Sequence, residues 1–440
     1  MTPPETIFAL ASARGRAGVA VIRVSGPASD TALGALLAGP LPAYRQASLR
    51  RLRHPVSRET LDDALVLRFA EGASFTGEAS AELHCHGGPA VVRAVLDALA
   101  TLPGLRPALP GEFTRRAFEG GRLDLAQIEG LADLIHAETE GQRRAAQRQA
   151  DGGLGALCRD WSAGLTRCLA LLEASIDFAD EEIPDDLFTD VMFHVKQLAE
   201  AMAATLEGAG AAERLRDGWR VALIGAPNAG KSSLVNALAR RDVAIVSEIA
   251  GTTRDSLEVQ LDLRGFPVTV VDTAGLRETG DAIEREGVLR SRRMAAEADL
   301  VLALHAPDAP LDAMPASEAP ILTVWNKGDL ASPPDGADLA ISAKSGAGLD
   351  TLIERIAERL SLAEPPPSQM LLRERQRAAI VEAHALLRAL EDEPATAMRE
   401  RPEIAAETLR AARDALGRIT GETGVESLLD VIFSEFCLGK

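Results

Sequence analysis

The residues best equipped for chemistry lie together in Gly225-Ala-Pro-Asn-Ala-Gly-Lys231-Ser232, between an apolar run at 219–224 and a helix-forming run at 233–239. Glycines let backbone N–H groups converge on phosphate oxygens, Lys231 adds a point charge, and Ser232 offers a hydroxyl to Mg2+. The helix that follows adds its positive N-terminal end. Asp272-Thr273-Ala274-Gly275 closes a later apolar run, with a carboxylate that reaches Mg2+ through water and a glycine N–H that senses a γ-phosphate. Gly251-Thr252-Thr253-Arg254-Asp255 suits a loop that closes on phosphate and metal. Asn326-Lys327-Gly328-Asp329, with Ser342-Ala343-Lys344 after it, supplies an aspartate that accepts both N–H groups of a guanine edge. Adenine does not present that pair, so the motifs predict GTP.

Two departures from common switch GTPases bear on hydrolysis. Leu276 follows Gly275 and cannot orient a water as a glutamine would, so Glu284 is the candidate general base or water-orienting group. Asn228 places a side-chain oxygen inside the phosphate loop, where a monovalent cation fits. Such a cation replaces an arginine finger, a device worth roughly 10³ to 10⁵ in rate, or about 4 to 7 kcal/mol. This reading predicts potassium-stimulated hydrolysis.

These groups need elements to position them. Apolar runs at 221–224, 257–263, 268–271, 300–304, 321–325 and 339–342 predict strands separated by helices, a doubly wound α/β domain over 217–362 with its motifs at carboxyl strand ends. Residues 1–119 read as an α+β domain, with strands at 6–10, 18–24, 64–69 and 81–85 and a helix over 89–102. Its polar clusters are Ser74-Phe-Thr-Gly-Glu78, Glu82-Leu-His84-Cys-His86-Gly-Gly-Pro89 and Pro110-Gly-Glu-Phe-Thr-Arg115-Arg116. Glu82, His84 and His86 share a strand face and offer three metal ligands. The Gly-Gly-Pro turn after them and the lack of a fourth ligand favour a structural role. Helical spacing follows from Gly121: a stripe at 123–135, a helix over 154–178, an acidic solvated stretch at 177–186, and a helix over 187–215. Past the α/β domain come helices at 371–390, 404–418 and 425–436, beyond the stiff linker Ala363-Glu-Pro-Pro-Pro-Ser368. We therefore expect one helical domain, in two parts at 120–216 and 363–440, split by the inserted nucleotide-binding domain.

Composition narrows the class. At 440 residues the chain suits about three domains, and with 46% hydrophobic and 25% charged residues it reads as an ordinary globular protein. A net charge of -18 argues against a broad nucleic-acid surface, so any RNA contact must be local. Cys85, Cys158, Cys168 and Cys437 form no CxxC pair, which fits a reducing, cytoplasmic compartment. No basic leader with a long apolar core opens the chain, and no apolar run approaches the roughly 18 residues that span a bilayer, so no membrane partner is expected. Cys437-Leu-Gly-Lys440 is a poor prenylation tail.

The chain resembles the tRNA modification GTPase MnmE (TrmE) family nearly end to end. The resemblance rests on Thr6-Ile7, the segment 18–26, Phe75-Thr-Gly-Glu78, 82–89, Pro110-Gly-Glu-Phe-Thr114, Leu123-Asp-Leu-Ala-Gln127, the GTPase motifs and the terminal Phe436-Cys-Leu-Gly-Lys440. It implies a homodimer whose N-terminal, folate-binding domains take 5-formyltetrahydrofolate or a related one-carbon donor at Arg23, Glu82, Arg122 and Lys440. Arg122 stands where a lysine is expected, which keeps the charge and changes the contact geometry. The resemblance implies potassium ligation by Asn228, Thr252 and the backbone carbonyls of Ser247 and Ile249, and Mg2+ held by Ser232 and Thr253. It extends the GTP-binding set over Ala229, Gly230, Ser233, Glu248, Ala250 and Gly251, matches Glu284 to the family's catalytic glutamate, and matches Cys437 to the family's C-terminal cysteine, a thiol whose role, functional or structural, stays open. It further implies work with an FAD-containing MnmG-type partner, in a heterotetramer or larger complex. Together they would install an aminomethyl or carboxymethylaminomethyl group at C5 of the wobble uridine of certain tRNAs. The stretch 305–320 is short and proline-containing where a longer helical crossover is expected. A ribosome-assembly GTPase would share the nucleotide motifs, but no RNA-binding module or second GTPase domain accompanies them. A regulator that only senses folate would bind it without changing tRNA.

Overall fold

The structure, a computed structural model, describes residues 5–177, 187–207, 209–245, 258–272, 296–309, 317–334, 336–360, 362, 372–393, 395–424, 429, 432 and 433. In chain order its first part comprises β1 (Thr6–Leu10), β2 (Ala17–Ser25), α1 (Ser29–Leu36), β3 (Ser48–Arg53), β4 (Thr60–Phe69) and β5 (Ser80–Gly87). Then follow α2 (Pro89–Ala100), β6 (Leu105–Pro107) and α3 (Glu112–Glu119). The six strands form one sheet, β3-β4-β5-β2-β1-β6, antiparallel except for β1 with β6. Residues alternate along β4 between buried and more open positions, as a sheet covered on one face requires. On the covered face Ile22, Leu52, Val66 and Leu83 pack with Leu33 and Leu36 of α1 and Val95 and Leu99 of α2. Val19, Leu65 and Leu49, linked by cross-strand register through His86 and His84, stay exposed on the other face.

Five helices follow: α4 (Leu125–His136), α5 (Glu140–Ala150), α6 (Gly153–Asp177), α7 (Leu187–Glu207) and α8 (Ala209–Asp217). The start of α4 is fixed by a reciprocal cap: Gln127 N–H donates to Asp124 Oδ1 at 2.8 Å, and Asp124 N–H to Gln127 Oε1 at 3.0 Å. Leu123 therefore lies before the helix although it continues the apolar stripe. The single helix expected over 187–215 is two helices, α7 and α8. The polar sequence of α5, EGQRRAAQRQA, hides a helix that Thr139 and Gln142 cap in the same reciprocal way.

The second sheet comprises β7 (Trp219–Gly225), β8 (Glu258–Leu263), β9 (Phe266–Asp272), β10 (Leu300–His305), β11 (Ile321–Trp325) and β12 (Leu339–Ala340), with α9 (Lys231–Leu238) and α10 (Leu349–Arg359). Its order is β12-β11-β10-β7-β9-β8, parallel throughout except that β8 and β9 form an antiparallel hairpin. The near-continuous apolar runs of β7 and β10 match strands buried on both faces. Leu223, Leu302 and Val324 of the sheet pack with Leu234 of α9 and Ile356 of α10. The last described helices are α11 (Glu374–Glu391), α12 (Ala395–Glu400) and α13 (Pro402–Thr420).

Contacts divide the chain into two compact units, 1–132 with 150–195 and 389–440, and 133–149 with 196–388. This division runs differently from the boundaries read from sequence pattern, because α5 and α8 contribute Ala145, Ala146 and Leu215 to the core of the second sheet. Thr139 Oγ1 donates to Gly265 O at 2.7 Å, and a β-carbon on Gly141 would collide with the same carbonyl. In the other unit α13 packs along α6, and Ile432 and Phe433 join Leu125 and Ile128 in a small core. Gly111, at φ 68°, sits so close that a β-carbon would meet the Phe433 carbonyl.

Cys85, Cys158 and Cys168 are buried free thiols. Burial, reinforced by the charge of Asp62, pushes the Cys85 thiol up to about 12, and burial likewise raises Cys168. Their thiolate fractions at pH 8 are therefore very small. Iodoacetamide at pH 8 should leave both unmodified in the folded protein and alkylate them in urea, as read by peptide mass spectrometry. Labelling of Cys85 at equal rates in both states would contradict its burial.

Candidate functional site

The phosphate-loop sequence connects β7 to α9, and its backbone explains the residues chosen. Asn228 adopts φ 68° and Gly230 φ 95°, the left-handed region in which glycine and asparagine are least strained. A β-carbon on Gly230 would collide with the Asn326 carboxamide. Lys231 begins α9 with 7% exposure, and its ammonium donates to Gly225 O at 2.7 Å and Ala226 O at 3.1 Å. Burial lowers its pKa while the charge of Asp272 partly restores it. Ser232 Oγ donates to Asp272 Oδ2 at 2.9 Å. A hydroxyl from the loop and a carboxylate from the end of β9 thus meet, the hard-oxygen pairing that Mg2+ takes. Asn228 is exposed, and Ala229 is buried beneath the loop.

Asn326 ties the base-reading side to this loop. It is 2% exposed; its Nδ2 donates to Ala229 O at 2.9 Å, and its Oδ1 accepts from Ala343 N–H at 3.0 Å. Gly328 N–H donates to Ile341 O at 2.9 Å, which sets the Ser342-Ala343-Lys344 turn beside Asp329. Asp329 is exposed, and a hydrogen bond from Ser342, aided by the charge of Lys344, holds its carboxyl below the usual range. An ionised, solvent-facing carboxylate can accept two N–H donors from a guanine edge. Lys327, at φ 60°, is held by Asp308, both of whose carboxylate oxygens lie 2.7 Å from Nζ. The sequence reading missed Asp308. Its signal is the turn it occupies with Pro307 between Ala306 and Ala309, which exchange backbone hydrogen bonds at 3.2 and 3.0 Å.

Of the other expected site residues, Ser233 follows Ser232 in α9. Ser247, Glu248, Ile249, Ala250, Gly251, Thr252, Thr253, Thr273, Ala274, Gly275 and Glu284 lie outside the described residues, as do Cys437, Lys440 and part of the short stretch 305–320.

The N-terminal set forms a second cluster within its own unit. Arg23 on β2 stands opposite Glu82 on β5, and its Nη2 and Nε donate to Glu82 Oε1 at 3.0 and 3.2 Å. The guanidinium also lies over Phe75 and Phe113, at 5.3 and 5.7 Å from the ring centroids. His84 Nε2 is 3.3 Å from Glu82 Oε2, while His86 Nδ1 is 2.7 Å from Asp62 Oδ1. The two histidines on one face thus have different carboxylate partners. Arg122 is exposed, its stem beside Gly77. Next to it runs a network the sequence reading missed: Arg116 bridges Glu112 and Glu78, and Glu78 accepts from Ser25 Oγ at 2.7 Å. Arg23 and Glu82 thus form a neutral ion pair lined by two aromatic rings, an arrangement able to meet a flat, polar surface.

Family models match the chain over two stretches, the MnmE helical domain over residues 125–437 and the GTP-binding protein TrmE N-terminus over residues 6–122. Among curated proteins the chain is similar to the tRNA modification GTPase MnmE of Cereibacter sphaeroides, 51% identical over 438 residues, 99% of this chain and 100% of that one. It is also 51% identical to the tRNA modification GTPase MnmE of Rhodospirillum rubrum over 462 residues, 99% of each. Among solved structures it is similar to an Era variant of Aquifex aeolicus bound to GDP and aluminium fluoride, at 26% identity. That match covers 38% of this chain and 66% of that one, with a TM-score of 0.26.

Replacing Asn326 by alanine leaves Ala229 O and Ala343 N–H without their partner in a buried setting, at about 1 to 3 kcal/mol for each unsatisfied group. Asn326→Ala should therefore weaken GDP binding at least tenfold by isothermal titration calorimetry. Unchanged affinity would refute the role given to this bridge.

Proposed function

Given that the chain belongs to the tRNA modification GTPase MnmE family and is a GTP hydrolase, we propose that it is the GTP-hydrolysing subunit of a complex modifying C5 of the wobble uridine in certain tRNAs. The group added is aminomethyl or carboxymethylaminomethyl. The proposed partner is an FAD-containing MnmG-type protein, in a heterotetramer or larger assembly, and the proposed compartment is the cytoplasm. No described helix is long and apolar enough to cross a membrane. The observation that carries the nucleotide half is the pairing of Ser232 with Asp272 beside a phosphate loop already bonded to Asn326.

In this reading the phosphate loop and Lys231 bind the phosphates, Ser232 and Thr253 hold Mg2+, and Asp329 accepts the guanine edge. Mg2+ held there would supply positive charge against the negative charge on the phosphate oxygens. Asn228, Thr252 and the carbonyls of Ser247 and Ile249 would hold potassium, on which dimerisation of the GTPase domains depends, and Glu284 would orient the attacking water. Arg23, Glu82, Arg122 and Lys440 bind a 5-formyltetrahydrofolate-type donor, and Arg23 is already oriented by its carboxylate and ring neighbours. The exposed Val19, Leu49 and Leu65 on the N-terminal sheet support a homodimer. Hydrolysis drives a conformational cycle and does not supply a leaving group.

Deleting the gene should remove C5-substituted wobble uridines from total tRNA, read by nucleoside mass spectrometry. The wild-type gene should restore them and Glu284→Ala should not. An unchanged nucleoside profile alongside altered ribosome profiles would replace this reading with that of an assembly switch. For the cation, turnover in KCl should exceed that in NaCl at matched ionic strength by tenfold or more, and equal rates would remove potassium from the mechanism.

A further inference from the structure

Positive charge is unevenly placed in this acidic chain. Residues 1–119 hold thirteen arginines and eleven carboxylates, whereas the whole chain carries a net charge of -18. Six of those arginines, at positions 23, 51, 68, 106, 115 and 116, are spent on carboxylates of the same unit. Of the seven without a carboxylate partner among the described residues, Arg45, Arg50 and Arg93 lie elsewhere, while Arg14, Arg16, Arg53 and Arg58 lie at one end of the N-terminal sheet.

The register places them there. Arg53 ends β3 opposite Thr60, where β4 begins, and Arg58 lies in the turn between the two strands. Next across the sheet, His86 near the end of β5 stands opposite Val19 of β2, and Arg16 and Arg14 occupy the turn that enters β2. From β3 to β2 is three strand spacings, about 14 Å. Arg14, Arg16 and Arg58 are exposed, and Arg53 is half-buried with its Nε enclosed and unpartnered. Arg58 spends one N–H on the Ala35 carbonyl. Of the nearby carboxylates, Asp62 is occupied by His86, through both its backbone N–H and its ring, and Asp63 by Arg51. Glu59 remains as the one carboxylate of the β3–β4 turn.

We propose that this edge, formed by Arg14 and Arg16 of one turn with Arg53 and Arg58 of the next, binds the sugar–phosphate backbone of tRNA. The inference rests on tRNA being the macromolecule this family modifies, and adds where on the chain it docks. Four guanidiniums free of carboxylates suit phosphate oxygens, which they contact in bidentate geometry. Charge across the remainder of the chain repels a polyanion, so the edge both attracts the RNA and sets its orientation. Contacts of this kind fix register without reading sequence.

The test is binding of full-length protein to unmodified tRNA transcript, measured by fluorescence anisotropy from 25 to 200 mM KCl. Two paired variants remove the charges and keep the stems, R14Q/R16Q and R53Q/R58Q; a third, R16E/R58E, reverses charge at one residue of each turn. Each paired variant should bind at least tenfold more weakly at low salt, and its log–log salt slope should fall by about 1 to 2. R16E/R58E should bind more weakly than either, with GTP turnover in the absence of tRNA unchanged in all three. Wild-type binding that none of the variants alters overturns the docking edge and leaves the tRNA-modification reading standing. Wild-type protein with no salt-dependent affinity for tRNA overturns both. Preserved tRNA binding together with lost binding to phosphatidylglycerol vesicles would assign the edge to a membrane surface and overturn the proposal.

Discussion

One buried carboxamide holds the nucleotide site together. Asn326 donates to the phosphate loop through Ala229 and accepts from the Ser342-Ala343-Lys344 turn, and its own N–H donates to the His305 carbonyl at 2.8 Å. Three segments remote in sequence, each at the carboxyl end of a parallel strand, are thereby fixed at hydrogen-bond distance. The side chain occupies space that any β-carbon at position 230 would need, so glycine there and asparagine at 326 are mutually dependent choices. The phosphate loop and the turns after β11 and β12 thus share one hydrogen-bonded side chain, and Asp308 extends this set by holding Lys327. The Ser232 hydroxyl and the Asp272 carboxylate, hydrogen-bonded to each other, are the groups proposed to face Mg2+ beside it.

The N-terminal cluster follows a different construction. Its polar groups sit on adjacent antiparallel strands, so cross-strand register alone brings Arg23 to Glu82, and the aromatic rings of Phe75 and Phe113 complete the surround. A one-residue slip of β2 against β5 would send Arg23 to the covered face. The long ion-pair network through Arg106, Glu112, Arg116 and Glu78 ties α3 and the loop before β5 to that register.

Much of this was readable in the amino-acid order because the signals are local. The phosphate loop, the apolar runs of β7, β10 and β11, and the turn residues at strand ends are all written within a few positions of the groups they place. Two kinds of feature were not. Helix α5 buries small alanines in a polar sequence, so no apolar stripe announces it, and its cap depends on a reciprocal pair instead. The apolar stripe through Leu123 ran past a helix start that Asp124 and Gln127 decide by hydrogen bonding. Asp308 and the pairing of Arg116 with Glu78 were hidden for a related reason: the partners lie 19 and 38 residues apart, respectively, and only folding brings them together.

Lys231 shows what phosphate recognition starts from. In this structure its ammonium is desolvated and occupied by two carbonyls of its own loop, Gly225 and Ala226. Arrival of a phosphate is therefore an exchange reaction at nitrogen, in which anionic oxygens compete with neutral ones already in place. Only the difference between the two sets of bonds contributes to affinity, so the lysine adds less to tightness than its full charge suggests.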